Sequence, residues 1–217
     1  MYESDKQELI EAGREIKKIG LVQLTGGNLS VRKENGDIVV TPSGMAYEPM
    51  VPDDVLVLNK DGVVIEGTLR PSVDTPALKY IYDHCPEINA LIHTHQPYAT
   101  AVGLIGDELP ACTTFLCNVC LGSVPVAPYS AAASESMGET VVKYIGNKRA
   151  VIMAHHGVMA AGPTLHDALA ACVYLEDSAK CYLAALAASK DGRIKLMTAE
   201  QEAEAVETHK TYGQQKK

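Results

Sequence analysis

Apolar residues recur at helical spacing between Ser4 and Gly20, at Leu9, Ile10, Ala12, Ile16 and Ile19, and Ser4 with Gln7 is placed to cap the run, so an amphipathic helix is predicted there. After Gly20 the pattern changes to short β-prone runs, Leu29–Arg32, Ile38–Thr41, Val55–Asn59 and Val63–Ile65. The turn dipeptides Asn35-Gly36 and Asp61-Gly62 lie between them, as in a β-meander. Thr75-Pro76 opens a helix to about His84, Ile88 to Thr94 predicts a strand, Pro97 opens a short helix through about Leu104, and Cys117 to Pro128 reads as strand. Ser136 with Glu139 forms a capping-box pattern for a helix to Ile145. Ala150 to Ala154 reads as a buried strand, Thr164 with Asp167 caps a long helix to about Ser189, and Thr198 with Gln201 starts the last helix. A helix, several strands, then alternating helices and strands predict one central sheet covered by helices, a single three-layer α/β/α domain over residues 1–217.

Composition adds exclusions to this picture. With 47% hydrophobic and 21% charged residues, the 217-residue chain has the profile of an ordinary globular protein. A net charge of −8 opposes binding to a polyanionic backbone, so nucleic acid is not an expected partner. The N-terminus has no signal-peptide pattern and no apolar run approaches a membrane span, which makes the cytoplasm the expected compartment, with no membrane partner. The six cysteines are expected to be reduced. Cys117-Asn118-Val119-Cys120 has the spacing of a zinc or redox pair, but no second cysteine pair follows at zinc-ribbon spacing.

The candidate chemistry lies in the histidines. His93 and His95 are two apart on a predicted strand and project from one face, and a third candidate lies in Ala154-His155-His156-Gly157, directly after a second buried strand. Three neutral imidazoles with an open fourth position suit a catalytic Zn²⁺. A His-x-His pair facing water is the competing reading. The apolar runs Ala90-Leu91-Ile92 and Val151-Ile152-Met153 argue against it, because they bury both strands and leave the imidazoles in need of a partner. His84, His166 and His209 fall on predicted helices with exposed surroundings and are set aside.

Six segments in order carry a resemblance: Thr25-Gly26-Gly27-Asn28-Leu29-Ser30, Thr41-Pro42-Ser43-Gly44, Pro71-Ser72-Val73-Asp74-Thr75-Pro76, Ile92 to Ala99, His155-His156-Gly157, and Lys210-Thr211-Tyr212-Gly213. Through them the chain resembles the class II sugar-phosphate aldolase family, which includes L-fuculose-1-phosphate aldolase and L-ribulose-5-phosphate 4-epimerase, and whose fold also occurs in the non-catalytic adducins. The resemblance implies a mainly antiparallel central sheet, and one divalent ion per subunit, Zn²⁺ first, on His93, His95 and His156. It implies a site for the phosphate of a sugar-phosphate substrate at Gly26, Gly27, Asn28, Ser43, Gly44 and Ser72. It implies a proton-transferring Asp74, and a homotetramer in which Tyr212 reaches a neighbouring subunit's site. Read by themselves, the glycine segments are also β-turns and Asp74 is also a helix cap.

The resemblance implies an aldolase, of the kind that cleaves a ketose 1-phosphate such as L-fuculose 1-phosphate to dihydroxyacetone phosphate and an aldehyde, with the epimerase as the alternative. The sequence also departs from the family pattern. Val73 and Leu78 replace a usual Ser and His, Phe115 stands where the fuculose-phosphate enzyme has a catalytic Tyr, and Asn118 stands where the epimerase uses an acidic residue.

Overall fold

The computed structural model describes residues 1–208, so Tyr212 lies outside the described residues. Nine strands form one sheet: β1 Asn28–Arg32, β2 Ile38–Val40, β3 Leu56–Leu58, β4 Val64–Glu66, β5 Ala90–Thr94, β6 Glu108–Leu109, β7 Val124–Ala127, β8 Ala150–Met153 and β9 Gly157–Gly162. Their spatial order is β4-β3-β2-β1-β5-β9-β8-β7-β6. Every pairing is antiparallel except β7 with β8.

Among the described residues there are seven α-helices, α1 Glu3–Lys18, α2 Thr75–His84, α3 Pro97–Val102, α4 Thr114–Cys120, α5 Glu135–Ile145, α6 Leu165–Ala188 and α7 Ala199–Thr208. The period-2 alternation of the strands divides the core in two. Val39, Ile92, Ile152 and Ala160 pack with Leu9, Ile16 and Leu175 beneath α1 and α6. Their neighbours Ile38, Val40, Leu91, Val151 and Met159 pack with Leu78, Ile81, Met137 and Val141 beneath α2 and α5. Helices therefore lie on both faces, as the order of elements predicts.

Several boundaries differ from the sequence reading. The first four residues of Cys117–Pro128 belong to helix α4. Thr113 caps it through a hydrogen bond from the Leu116 N–H, and Leu116, Cys117 and Cys120 face inward. Cys117 Sγ contacts Met197 Sδ and Cys120 Sγ contacts the Ala171 carbonyl, so the Cys-x-x-Cys pair packs inside the core, where burial raises both thiols to about 11 and about 12. Helix α5 starts at Glu135, outside the expected Ser136–Glu139 capping box. Strand β9, unrecognised in Gly157–Gly162 because its small residues carry no β-branched signal beyond Val158, fills the centre of the sheet. Among the described residues no helix is long and apolar enough to cross a membrane.

Candidate metal centre

The site lies where β5, β1 and the β8–β9 hairpin end together. On β5, His93 has the same parity as Leu91, which directs it to the α2 side of the sheet, and its pairing partner on β1 is Asn28. Met153 pairs with Gly157, so Ala154, His155 and His156 form the hairpin loop. His155 takes φ 62° and is exposed, while His156 turns toward the other two rings. Gly157 cannot be replaced by a larger residue without moving the sheet, because an added Cβ would lie 2.2 Å from the Thr94 carbonyl oxygen.

The three predicted histidines converge. Their candidate ligand nitrogens all lie within 4.8 Å of one another, with His93 Nε2 3.1 Å from His95 Nε2. Two zinc–nitrogen bonds at a tetrahedral angle separate their nitrogens by about 3.3 Å, so the spacing fits a shared ion. His93 Nδ1–H donates to the Val158 carbonyl at 2.9 Å, which fixes the ring and leaves the Nε2 lone pair for a metal. Burial and the two neighbouring imidazoles disfavour the imidazolium. The pKa of His93 falls to about 4, chiefly by burial and against the opposing pull of Asp74, and that of His95 is also lowered by burial. A cluster of imidazole nitrogens, buried at His93 and open to solvent at His95, is a donor set that fits a divalent cation with a coordination position left for a ligand.

Asp74 occupies the N-cap position of α2, yet its side chain makes no capping hydrogen bond. It turns into the site instead. Asp74 Oδ2 accepts from Asn28 Nδ2 at 2.7 Å and lies 4.0 Å from His93 Nε2, and Oδ1 accepts from the Ala133 N–H at 3.2 Å. Ala133 has φ 57°, a left-handed conformation in an Ala-Ala-Ala run that gives no sequence signal. Neither its amide nor the Val158 carbonyl could be assigned a role from side-chain chemistry.

The expected phosphate-binding residues form two turns beside this carboxylate. An added Cβ at Gly26 would lie 3.2 Å from His95 Nδ1. Gly27, at φ 76°, would place a Cβ 2.5 Å from the His93 carbonyl oxygen, so the glycines let the turn lie directly against β5. Pro42 and Pro71 form a bridge that joins the Ser43-Gly44 turn to Ser72, with the Ser72 N–H on the Thr41 carbonyl and the Ser43 N–H on the Arg70 carbonyl. Ser72 Oγ accepts from the Asp74 N–H, so its hydroxyl hydrogen is still available to a ligand. Asn28 is 2% exposed and, among the described residues, its Oδ1 has no partner, which marks it as an acceptor awaiting a donor. Phe115 and Asn118 lie elsewhere. They line a cleft of about 660 Å³ between α4, α6 and α7 that includes none of the three histidines.

The family described as Class II Aldolase and Adducin N-terminal domain matches residues 7–183. A 5-deoxy-D-ribulose 1-phosphate aldolase from Bacillus thuringiensis is 31% identical over 216 residues, which is 99% of this chain and 100% of that protein. An L-ribulose-5-phosphate 4-epimerase from Salmonella paratyphi C is 33% identical over 190 residues, 81% of this chain and 82% of that one. The solved structure of an L-fuculose 1-phosphate aldolase superposes with a TM-score of 0.87 at 30% identity, covering 94% of this chain and 95% of the other.

Proposed function

The chain belongs to the class II aldolase and adducin N-terminal domain family, and from that premise we propose that it is a divalent-metal-dependent aldolase that reversibly cleaves a ketose 1-phosphate to dihydroxyacetone phosphate and an aldehyde. The observation that carries the reading is the convergence of His93, His95 and His156 beside a carboxylate that has turned away from its helix to face them. An adducin-like structural module has no need of such an arrangement.

When bound to the three histidines, a divalent ion, Zn²⁺ in this reading, supplies Lewis acidity at the substrate ketone. The protein's own residues do the rest. Cleavage breaks the bond between the carbons α and β to the ketone, the β hydroxyl loses a proton, and the α carbon gains one. Asp74 carries the proton at the α carbon, held in place by Asn28 and the Ala133 N–H. Gly26, Gly27, Asn28, Ser43, Gly44 and Ser72 hold the phosphate, so that binding energy at the far end of the substrate fixes the reacting carbons. Tyr212, outside the described residues, takes the proton from the β oxygen in a neighbouring subunit of a homotetramer.

The full-length alignment with an enzyme named for 5-deoxy-D-ribulose 1-phosphate makes a short, deoxygenated ketose 1-phosphate the first substrate to test, with acetaldehyde as the expected aldehyde. The alternative, a sugar-phosphate 4-epimerase, is favoured by one observation, the similarity to L-ribulose-5-phosphate 4-epimerase. Incubating the Zn²⁺-loaded protein with ketose 1-phosphates and with L-ribulose 5-phosphate, reading aldehyde release and epimer formation, separates the two. Aldehyde release from a ketose 1-phosphate, abolished in His93→Ala, His95→Ala and His156→Ala together with metal content, is expected. Epimer formation without aldehyde release overturns the aldolase, and full metal occupancy in all three variants overturns the ligand assignment.

A further inference from the structure

The three histidines are not fastened alike. His93 is pinned by Val158, and His156 sits in a tight hairpin loop. His95 has neither support. Among the described residues its ring makes one hydrogen-bonding contact, with His93 Nε2, and its Nδ1 has no protein acceptor. Its ring rests between Gly26 and Gly157, and its place along the chain is set by the backbone on either side, where β5 ends and the chain turns into α3.

That turn is held by a buried polar chain reaching in from α6. Thr94 Oγ1–H donates to Gln96 Oε1 at 2.6 Å, so the two residues flanking His95 are tied to each other across it. Gln96 Nε2 donates to the Cys172 carbonyl at 3.0 Å and to Glu176 Oε2 at 3.5 Å. Glu176 in turn accepts the first-turn amides of α3, from Tyr98 at 3.1 Å and from Ala99 at 2.9 Å. Thr94 and Gln96 are fully buried, and Glu176 is 2% exposed. No lysine or arginine lies within ion-pair distance of Glu176 among the described residues. A carboxylate buried without a cation is a costly way to cap a six-residue helix when a Ser or Thr at the N-cap would serve. The network makes sense as a support for the residue it encloses.

We propose that Glu176 is a positioning residue of the metal centre: acting through Gln96 and the first turn of α3, it holds His95 in register with His93 and His156. The inference rests on the metal assignment made above and adds a residue of α6 to it. Glu176→Gln keeps the shape of the side chain but turns one acceptor oxygen into a donor facing a donor. Gln96→Met cuts the link to Thr94 while leaving Glu176 on the α3 amides. Asp167→Asn, which weakens the ion pair with Arg149 at the start of the same helix, serves as a control for general destabilisation of α6.

The test measures the Zn²⁺ dissociation constant of each folded protein by chelator competition, together with the visible spectrum of the Co²⁺ form, which reports coordination geometry. Glu176→Gln and Gln96→Met are expected to weaken Zn²⁺ binding about 10–100-fold and to change the Co²⁺ spectrum, the usual effect of losing an outer support of a ligand. Asp167→Asn is expected to lower the melting temperature and leave both readouts within twofold of wild type. Wild-type affinity and spectrum in both Glu176→Gln and Gln96→Met would overturn the proposal while leaving the metal centre intact. A wild-type protein that binds no ion would overturn the metal centre and the positioning role together.

Discussion

Replacing Asp74 by Asn separates its chemistry from its place in the fold. In the native site Asp74 accepts two hydrogen bonds, one from Asn28 Nδ2 and one from the Ala133 N–H, while Asn28 Oδ1 is buried without a partner. An asparagine at 74 can keep its oxygen toward Ala133 and present its amide to Asn28. If the Asn28 side chain then flips, its orphaned Oδ1 accepts that amide, and both bonds survive as neutral ones. Exchanging charge-assisted for neutral hydrogen bonds costs about 1 kcal/mol. In a chain of 217 residues that lowers the melting temperature by roughly 2–4 °C. Asp74→Ala removes both acceptors and strands a buried amide, at about 3 kcal/mol and roughly 6–12 °C. Turnover should behave differently: under the proposed mechanism both variants lack the group that moves the proton, and both should lose about two to four orders of magnitude. Differential scanning calorimetry and single-turnover cleavage measure the two effects. If Asp74→Asn melts as early as Asp74→Ala, the flip is wrong, and if Asp74→Asn turns over at near wild-type rate, Asp74 is not the base.

Gly27→Ala combines left-handed strain with a Cβ 2.5 Å from the His93 carbonyl, and is expected to cost about 3 kcal/mol and weaken Zn²⁺ binding, whereas Gly44→Ala, at φ 68° with open space around it, should cost about 1 kcal/mol; equal losses in urea unfolding would reject the contact argument. The depressed pKa of His93 means that the unfolded chain binds a proton the native chain refuses between pH 6.5 and about 4, so stability of the metal-free protein should rise with pH across that window and then level off, by about 3 kcal/mol. Comparing wild type with His93→Gln by urea unfolding at pH 4.5, 5.5 and 7 checks this, and identical slopes would reject it. For Tyr212, mixing inactive His95→Ala subunits with Tyr212→Phe subunits should restore part of the activity, and undiminished turnover in Tyr212→Phe alone would remove that residue from the mechanism.

Much of the site was legible because it consists of side chains with distinctive chemistry at strand ends. His93 and His95 share a face by simple alternation, and the Thr164–Asp167 and Thr198–Gln201 caps form as their spacing implies. The illegible parts have two causes. Where backbone makes the contact, as the Val158 carbonyl does with His93 and the Ala133 N–H with Asp74, side-chain identity says nothing. Where a local pattern competes with tertiary context, the context wins. Cys117 and Cys120 fall in a run that reads as strand yet sit on the inward face of α4, and Asp74 stands at a cap position with its carboxylate drawn away by Asn28.

The position of β9 between β5 and β8 also sets an order of events in time. The chain that carries Val158 is made 65 residues after His93, and until it inserts, the β5 edge is open and the ligands are not assembled. Closing so long a loop is slow, and its contacts form late. An ion held between β5 and the β8–β9 hairpin, as proposed above, would act on a contact that forms late, and interactions of that kind change the rate of unfolding far more than the rate of folding. For this protein the metal would work as a latch, closing after the sheet has formed and governing how long the closed sheet lasts.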